Sequence, residues 1–188
     1  GIPNLCSLKE LCSVLEKRGL HGFPVHIKID SGMHRLGFMT DELKELEDYL
    51  KDCPYVKVKS IYSHLAAADD PSCDDFTEGQ VSLFKNNADR LSEAIGYRPM
   101  YHILNSAGIE RFPQYQFDMV RLGIGIYGVS AIPGNELAPV ASFKCKVLPA
   151  FRPDKALGIE LPGYNEWVVA LENVMGKKVE SFTELKAA

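Results

Sequence analysis

Val25-His26-Ile27-Lys28-Ile29-Asp30 is the stretch on which the fold turns. Apolar and polar residues alternate strictly, the period-2 signature of a strand with one buried face. Val25, Ile27 and Ile29 face one way, and His26, Lys28 and Asp30 the other. Parallel strands covered by helices on both sides are apolar on both faces. The polar row must therefore line solvent or a polar cavity, as in the mouth of a (β/α) barrel. An edge strand in an open sheet is the alternative.

Working outward, helical and strand patterns alternate. Upstream, Ser7-Leu8-Lys9-Glu10 reads as a capping box. It opens a helix with Leu8, Leu11, Cys12 and Leu15 on one face and Gly19 as its stop. Downstream, Thr40 caps a helix carrying Leu43, Leu46 and Leu50, and Val56 to His64 reads as a second strand. Asp74 or Asp75 opens a long helix with Phe84, Ala88, Leu91 and Ile95 on one stripe, ending at Gly96. Met100 to Leu104 is a short strand, and Phe117 to Ile126 is a last β-like run. This order implies βαβ units and a parallel sheet, an α/β fold, over roughly the first 130 residues.

The pattern changes after Ser130. Ile132-Pro133-Gly134-Asn135 is a turn-rich linker, and Pro139 to Pro149 reads as a strand. Asn165 to Met175 is an amphipathic helix, and Ser181-Phe182-Thr183-Glu184 is another capping box. The pattern divides the chain into an α/β region over 1–132, a linker and strand over 133–150, and an unassigned α-rich tail over 151–188.

Composition limits the function classes. The chain has 188 residues, 46% hydrophobic, with a formal charge of −4, which excludes a wholly disordered or fibrous protein. No run of ~18 apolar residues predicts a membrane span, and Gly1-Ile2-Pro3-Asn4 shows no secretory leader. Mild acidity argues against nucleic acid. Five cysteines without a C-x-x-C pair read as reduced thiols of a cytoplasmic protein, not a disulfide scaffold or zinc site.

Several residues carry candidate chemistry. Gly123-Ile124-Gly125-Ile126-Tyr127-Gly128 spells G-x-G-x-x-G, but Ser130-Ala131-Ile132-Pro133-Gly134 cannot form the helix a dinucleotide fingerprint needs. What remains is backbone N–H able to approach a phosphate unobstructed. His64 with Asp69, Asp70 and Cys73 fits no standard zinc spacing, so a strand-end histidine that orients another side chain is the preferred reading and no metal is expected. Asn105-Ser106-Ala107-Gly108 is either a phosphate-binding helix start or a plain N-cap. Arg121, inside Met119-Val120-Arg121-Leu122-Gly123, needs partners, either a salt bridge or a cofactor. Arg35 is ambiguous in the same way.

Together the segments resemble a known family. His26-Ile27-Lys28-Ile29-Asp30-Ser31-Gly32-Met33-His34-Arg35-Leu36-Gly37-Phe38 resembles the K-x-D-[ST]-G-M-x-R-x-G-[FV] motif of alanine racemases. Ser63-His64-Leu65-Ala66-Ala67-Ala68-Asp69 resembles their [TS]-H-[FL]-x-x-A-D segment, and Asn105-Ser106-Ala107-Gly108 their N-S-A/T-x segment. Val120 to Gly128 resembles V-R-x-G-I-x-x-Y-G. The wording is similar to racemases of Bacteroidetes-like bacteria, some fused to a cell-wall ligase.

The resemblance implies a fold and a chemistry. The fold is a partial (β/α)8 TIM-type barrel of about four βα units, followed by the start of a C-terminal β domain. The chemistry is pyridoxal 5′-phosphate-dependent interconversion of L- and D-alanine, an isomerase reaction serving peptidoglycan synthesis. By motif match, Arg121 would sit against the pyridine nitrogen and His64 would orient it. Ser106, Gly123 and Ile124 would hold the phosphate, framed by Asn105. Arg35 would recognise the substrate carboxylate and position the catalytic tyrosine, with Met33 nearby. Lys28 matches a position that is carbamylated in some members. A homodimer is the family's assembly.

The departures matter equally. No segment matches the family's cofactor lysine, its catalytic tyrosine or its M-D motif, and Tyr164 in Pro162-Gly163-Tyr164-Asn165 is not assigned the base role. By correspondence the chain begins near the end of the fourth barrel strand, and residues after ~150 match nothing in the family. A fragment inactive by itself is therefore expected. The alternatives are another pyridoxal-phosphate barrel enzyme, a decarboxylase or racemase, and a non-catalytic half-barrel that binds a phosphorylated ligand.

Overall fold

The computed structural model describes residues 1–138. The sequence's alternation of periods produces three parallel strands, each followed by a connection through helix or turn. Helix α1 spans Leu5–Lys17 and buries Leu8, Cys12 and Leu15, a stripe at i, i+4 and i+7. Its cap is not the Ser7 box: the Asn4 side chain accepts the Ser7 N–H at 2.9 Å. The helix therefore starts three residues earlier than the box implies, with the Asn4 amide oxygen satisfying the Ser7 N–H and Ser7 inside the first turn. Arg18 ends the helix, and Gly19 follows at φ 62°.

Strands β1 (Phe23–Lys28), β2 (Val56–Tyr62) and β3 (Met100–His102) form one sheet in the order β1-β2-β3. His26 pairs with Ser60 and Lys28 with Tyr62, and Tyr62 pairs in turn with His102. A register irregularity lies between Val25 and His26. The outer edge of β1 is bridged by Ile2, which donates to the His26 carbonyl at 2.7 Å and accepts the Lys28 N–H at 3.1 Å.

The expected alternation fails at one end of β1. Lys28 and Asp30 are buried alongside Ile27 and Ile29. The cause is the 31–37 segment, which folds back over them. Phe38 N–H donates to the Lys28 carbonyl at 2.8 Å, and Asp30 N–H to the Phe38 carbonyl at 2.9 Å. The Asp30 carboxylate accepts the N–H groups of Gly32 (2.9 Å) and His34 (3.1 Å). The Lys28 ammonium donates to the Leu36 carbonyl. Buried charge is tolerated because each group is hydrogen-bonded. Gly37 is obligatory here: at φ +125° a Cβ would lie 2.6 Å from the Asp30 backbone nitrogen.

Helices α2 (Leu43–Lys51) and α3 (Asp74–Ile95) cover the apolar face. Leu43, Leu46, Phe84, Ala88 and Leu91 are fully enclosed against Val58, Ile61 and Tyr101. Removing each large apolar side chain from water contributes roughly 1.5–3 kcal/mol. Thr40 does not cap α2; Glu42 occupies that position, and the Thr40 hydroxyl accepts from Asn87 at 2.8 Å, tying α3 to the α2 entry. Asp74 begins α3 and Gly96 ends it in the left-handed conformation, as the sequence predicts.

Helix α4 (Ser106–Arg111) follows β3. The Asn105 side chain caps it by accepting the Gly108 N–H at 2.9 Å. The last β-like run is a correction. Phe117 to Ile126 forms no strand: Phe117 has φ 48°, and residues Ile124–Tyr127 coil into a 3₁₀ turn. Only Asp118 and Arg121 donate to the β3 segment, at the Tyr101 (3.1 Å) and Leu104 (3.0 Å) carbonyls. A left-handed residue and two glycines interrupt the extended backbone that an apolar composition suggests. The described α/β sheet thus has three strands, not four. The expected strand at Pro139 to Pro149, the helix at Asn165 to Met175 and the second capping box lie outside the described residues.

Candidate functional site

The strands all run one way, so their C-terminal ends gather the loops that follow. His64 lies two residues past β2, Asn105 and Ser106 follow β3, and Arg121 is fastened beside the end of β3 by its own N–H. Together with Leu122, Gly123 and Ile124 these residues line one cavity of about 540 Å³, whose wall also includes Val129, Ser130 and Ala131.

Arg121 is half-buried and its guanidinium has no carboxylate partner among the described residues. Instead Nη2 donates to the carbonyls of Ser63 (2.6 Å) and Ile103 (3.2 Å), and to His64 Nδ1 at 3.4 Å. Nη1 donates to His102 Nδ1 and to the His102 carbonyl at 3.3 Å. None of these bonds uses Nε. The Tyr62 ring lies 5.4 Å from the guanidinium carbon. Burial pulls the Arg121 pKa below its ordinary value.

Both imidazoles must be lone-pair acceptors towards Arg121, since a guanidinium only donates. Their surroundings favour the neutral form. Burial first, then the Arg121 charge, lowers the His64 pKa, and the same two causes push His102 down to about 4.

Ser106 holds the other side of the cavity. Its Oγ accepts the N–H groups of Gly123 (2.9 Å) and Gly125 (3.1 Å), which leaves its own proton free to donate. Any Cβ at Gly125 would meet Leu122 Cδ1 at 2.7 Å. Ile124 begins the 3₁₀ turn, where its N–H has no intrahelical acceptor. The Ser130-Ala131 part of the wall is pinned by Glu110, whose carboxylate accepts from the Ala131 N–H (3.0 Å) and the Asn135 amide (3.1 Å), besides the Ser130 hydroxyl. Asp69 also faces the cavity and is exposed.

His64, Asn105, Ser106, Arg121, Gly123 and Ile124 are therefore brought together. Lys28, Met33 and Arg35 are not part of the cavity wall. Lys28 is turned to Leu36, and its pKa is lowered chiefly by burial. Arg35 is exposed on the 31–37 loop. The sequence does not single out His102 or Ser60: Ser60 shares the alternate positions of Val56 and Val58, and the register irregularity that skips Lys59 is what sets it opposite His26.

The chain is thus of the class of α/β proteins that collect a cationic and hydroxylic pocket at the ends of parallel strands. It belongs to the alanine racemase family: residues 2–131 match the profile "Alanine racemase, N-terminal domain". An alanine racemase of Synechocystis sp. is 34% identical over 152 residues, which is 77% of this chain and 40% of that protein. The crystal structure of alanine racemase from D-cycloserine producing Streptomyces lavendulae matches with TM-score 0.64 and 27% identity, covering 70% of this chain and 35% of that one. The alanine racemase of Bartonella henselae, solved with covalently bound pyridoxal phosphate, matches with TM-score 0.55 and 29% identity, over 67% and 33% of the two chains. The chain therefore spans at most two-fifths of these relatives. Residues 134–188 match a different profile, that of glucuronate isomerase. Among the described residues no helix is long and apolar enough to cross a membrane.

Proposed function

We propose that this chain is the cofactor-ring and phosphate portion of a pyridoxal-phosphate-dependent alanine racemase, an isomerase. In this reading its three strands are consecutive strands of a (β/α)8 barrel. The whole protein is a cytoplasmic homodimer that interconverts L- and D-alanine for peptidoglycan.

One observation carries the reading. Arg121 is a guanidinium fastened by carbonyls and imidazole lone pairs, with Nε unused, at the wall of the cavity that also holds Ser106. A structural salt bridge, the plainer explanation of a buried arginine, has no acidic partner among the described residues. The donor set suits pyridoxal phosphate. At one end the Ser106 O–H and the Ile124 N–H would donate to a phosphate dianion, while the Gly123 N–H, given to Ser106 Oγ, would hold that hydroxyl in place. Arg121 would face the ring nitrogen, where a fixed positive charge opposes its protonation. When bound, the cofactor supplies an electron-withdrawing ring that acidifies the Cα–H of an amino acid.

The chain's own residues then bind and orient. His64 holds the guanidinium in place. Asn105 caps α4 and fixes Ser106. Arg35 and Met33, on the 31–37 loop, are the substrate-side candidates, and Lys28 is the candidate for carbamylation. The proton-moving lysine and tyrosine of the family have no match in this sequence. The isolated chain is therefore expected to bind the cofactor noncovalently and to show no measurable racemisation.

Equilibrium titration with pyridoxine 5′-phosphate tests this, because that analogue lacks the aldehyde and cannot condense with stray lysines. Saturable binding that falls about tenfold or more in Ser106→Ala supports the reading. Absence of binding, or binding indifferent to Ser106 and Arg121 substitution, overturns it and favours a half-barrel with no cofactor role.

A further inference from the structure

A row of polar side chains crosses the sheet beneath the cavity. His26 on β1, Ser60 on β2 and His102 on β3 lie on one face, since His26 pairs with Ser60 and His102 lies two positions beyond the partner of Ser60. His26 Nδ1 is 2.6 Å from Ser60 Oγ, and Ser60 Oγ is 2.9 Å from His102 Nε2. His102 Nδ1 is hydrogen-bonded to Arg121 Nη1. Ser60 is 0% and His102 4% exposed. The Tyr62 ring stacks on His102 with centroids 5.0 Å apart and planes 10° from parallel, which fixes the imidazole plane.

The protons in this row have only one consistent order. Arg121 cannot accept, so His102 Nδ1 is a bare lone pair and the His102 proton sits on Nε2. That N–H donates to Ser60 Oγ. Ser60, already accepting, turns its own proton to His26 Nδ1, which is therefore also unprotonated. The reverse order would aim two donors at each other between His102 and Arg121. Reversing only the His26 link would leave the buried Ser60 proton without an acceptor.

We infer that Ser60 and His26 are positioning residues: they fix the Nε2–H tautomer of His102 and thereby the aim of Arg121 into the cavity. The inference rests on the proposed cofactor reading for its purpose, but not for its geometry. Ser60 presents the only acceptor that the His102 Nε2–H meets among the described residues, so the hydroxyl at position 60 decides which face of the imidazole Arg121 finds.

The test uses the full chain without any cofactor, so failure of cofactor binding and failure of this inference are separate results. Long-range ¹H–¹⁵N correlation spectra assign the protonated nitrogen of each histidine. The expected result is a single Nε2–H tautomer at His102, with an unprotonated Nδ1 at His26. Ser60→Ala should give averaged tautomer shifts at His102 and speed solvent exchange of the Arg121 Nη1 protons, which bond His102 Nδ1, about tenfold. Ser60→Thr, which restores the hydroxyl, should return both signals. Unchanged methyl shifts of Ile27 and Ile61 show that the variants are folded. A proton on His102 Nδ1 in the unsubstituted chain overturns the inference without any variant. So does a folded Ser60→Ala whose His102 and Arg121 signals do not move, or a folded Ser60→Thr that fails to restore them.

Discussion

Lowering the pH from about 7 to about 4 should cost this chain about 3 kcal/mol through His102 alone. The ring is 4% exposed, and burial followed by the Arg121 charge pushes its pKa from 6.5 to about 4. The folded pKa is depressed, so the neutral ring's stabilisation is fully present above 6.5 and is lost as pH falls towards 4. In that window the unfolded chain binds the proton and the folded chain does not. The difference in pKa, at about 1.4 kcal/mol per pH unit, gives the figure. His64 adds to it in the same direction, being lowered by the same causes. Asp30 acts in a lower range. Burial pushes its carboxyl up, but N–H bonds from Gly32 and His34 outweigh this and hold it below the ordinary 3.8. Its contribution is kept until pH falls below that value. The assay is urea unfolding, followed by circular dichroism, at several pH values across the window. His102→Gln is the comparison, because a glutamine can accept from Arg121 and donate to Ser60 but does not titrate. Its stability should fall much less steeply. Parallel pH profiles for the two proteins would refute the claim that burial and the Arg121 charge hold His102 neutral.

Three further outcomes follow from the geometry. Gly37→Ala should destabilise by about 2 kcal/mol or more, since the new Cβ meets the Asp30 backbone and the residue is held at φ +125°; urea midpoints measure it, and a change under about 0.5 kcal/mol contradicts the fold-back of the 31–37 loop. Phe84→Ala should cost about 3–5 kcal/mol, because the ring, carried by α3, is fully enclosed and packs edge-on against Tyr101 and Phe117; a loss near zero would show that α3 is not docked as described. Asp69→Asn should tighten pyridoxine phosphate binding by about twofold to fivefold, the range of an exposed charge, as read by titration at low salt; weaker binding would mean that Asp69 contacts the ligand favourably.

The sequence was most informative where local pattern and burial agree. The Val56 strand, the Asp74–Ile95 helix and its Gly96 stop needed only periodicity and a left-handed glycine. The motifs also carried His64, Asn105, Ser106 and Arg121 to one region: the first three follow parallel strands that end together, and the Arg121 N–H is tied to the Leu104 carbonyl beside β3. Four things were not legible. Ser7 and Thr40 looked like caps, but choosing between Asn4 and Ser7, or Thr40 and Glu42, depends on backbone angles no motif fixes. Lys28 and Asp30 looked solvated on an alternating strand, yet the 31–37 loop covers them through tertiary contacts. Phe117 to Ile126 had strand composition, and one left-handed residue with two glycines broke it. His102 escaped notice because its partners are Ser60 and Arg121, 42 and 19 positions away in the chain.

The central claim is that Arg121 and Ser106 face the two ends of one phosphorylated pyridine. Amide and guanidinium NMR signals followed during titration of the full chain with pyridoxine 5′-phosphate test it most directly. The account predicts saturable shifts confined to residues 105–107 and 122–125 and to the Arg121 Nε–H, all lost together in Ser106→Ala. Saturable shifts elsewhere, or shifts at Ser106 with Arg121 Nε–H unmoved, would contradict it.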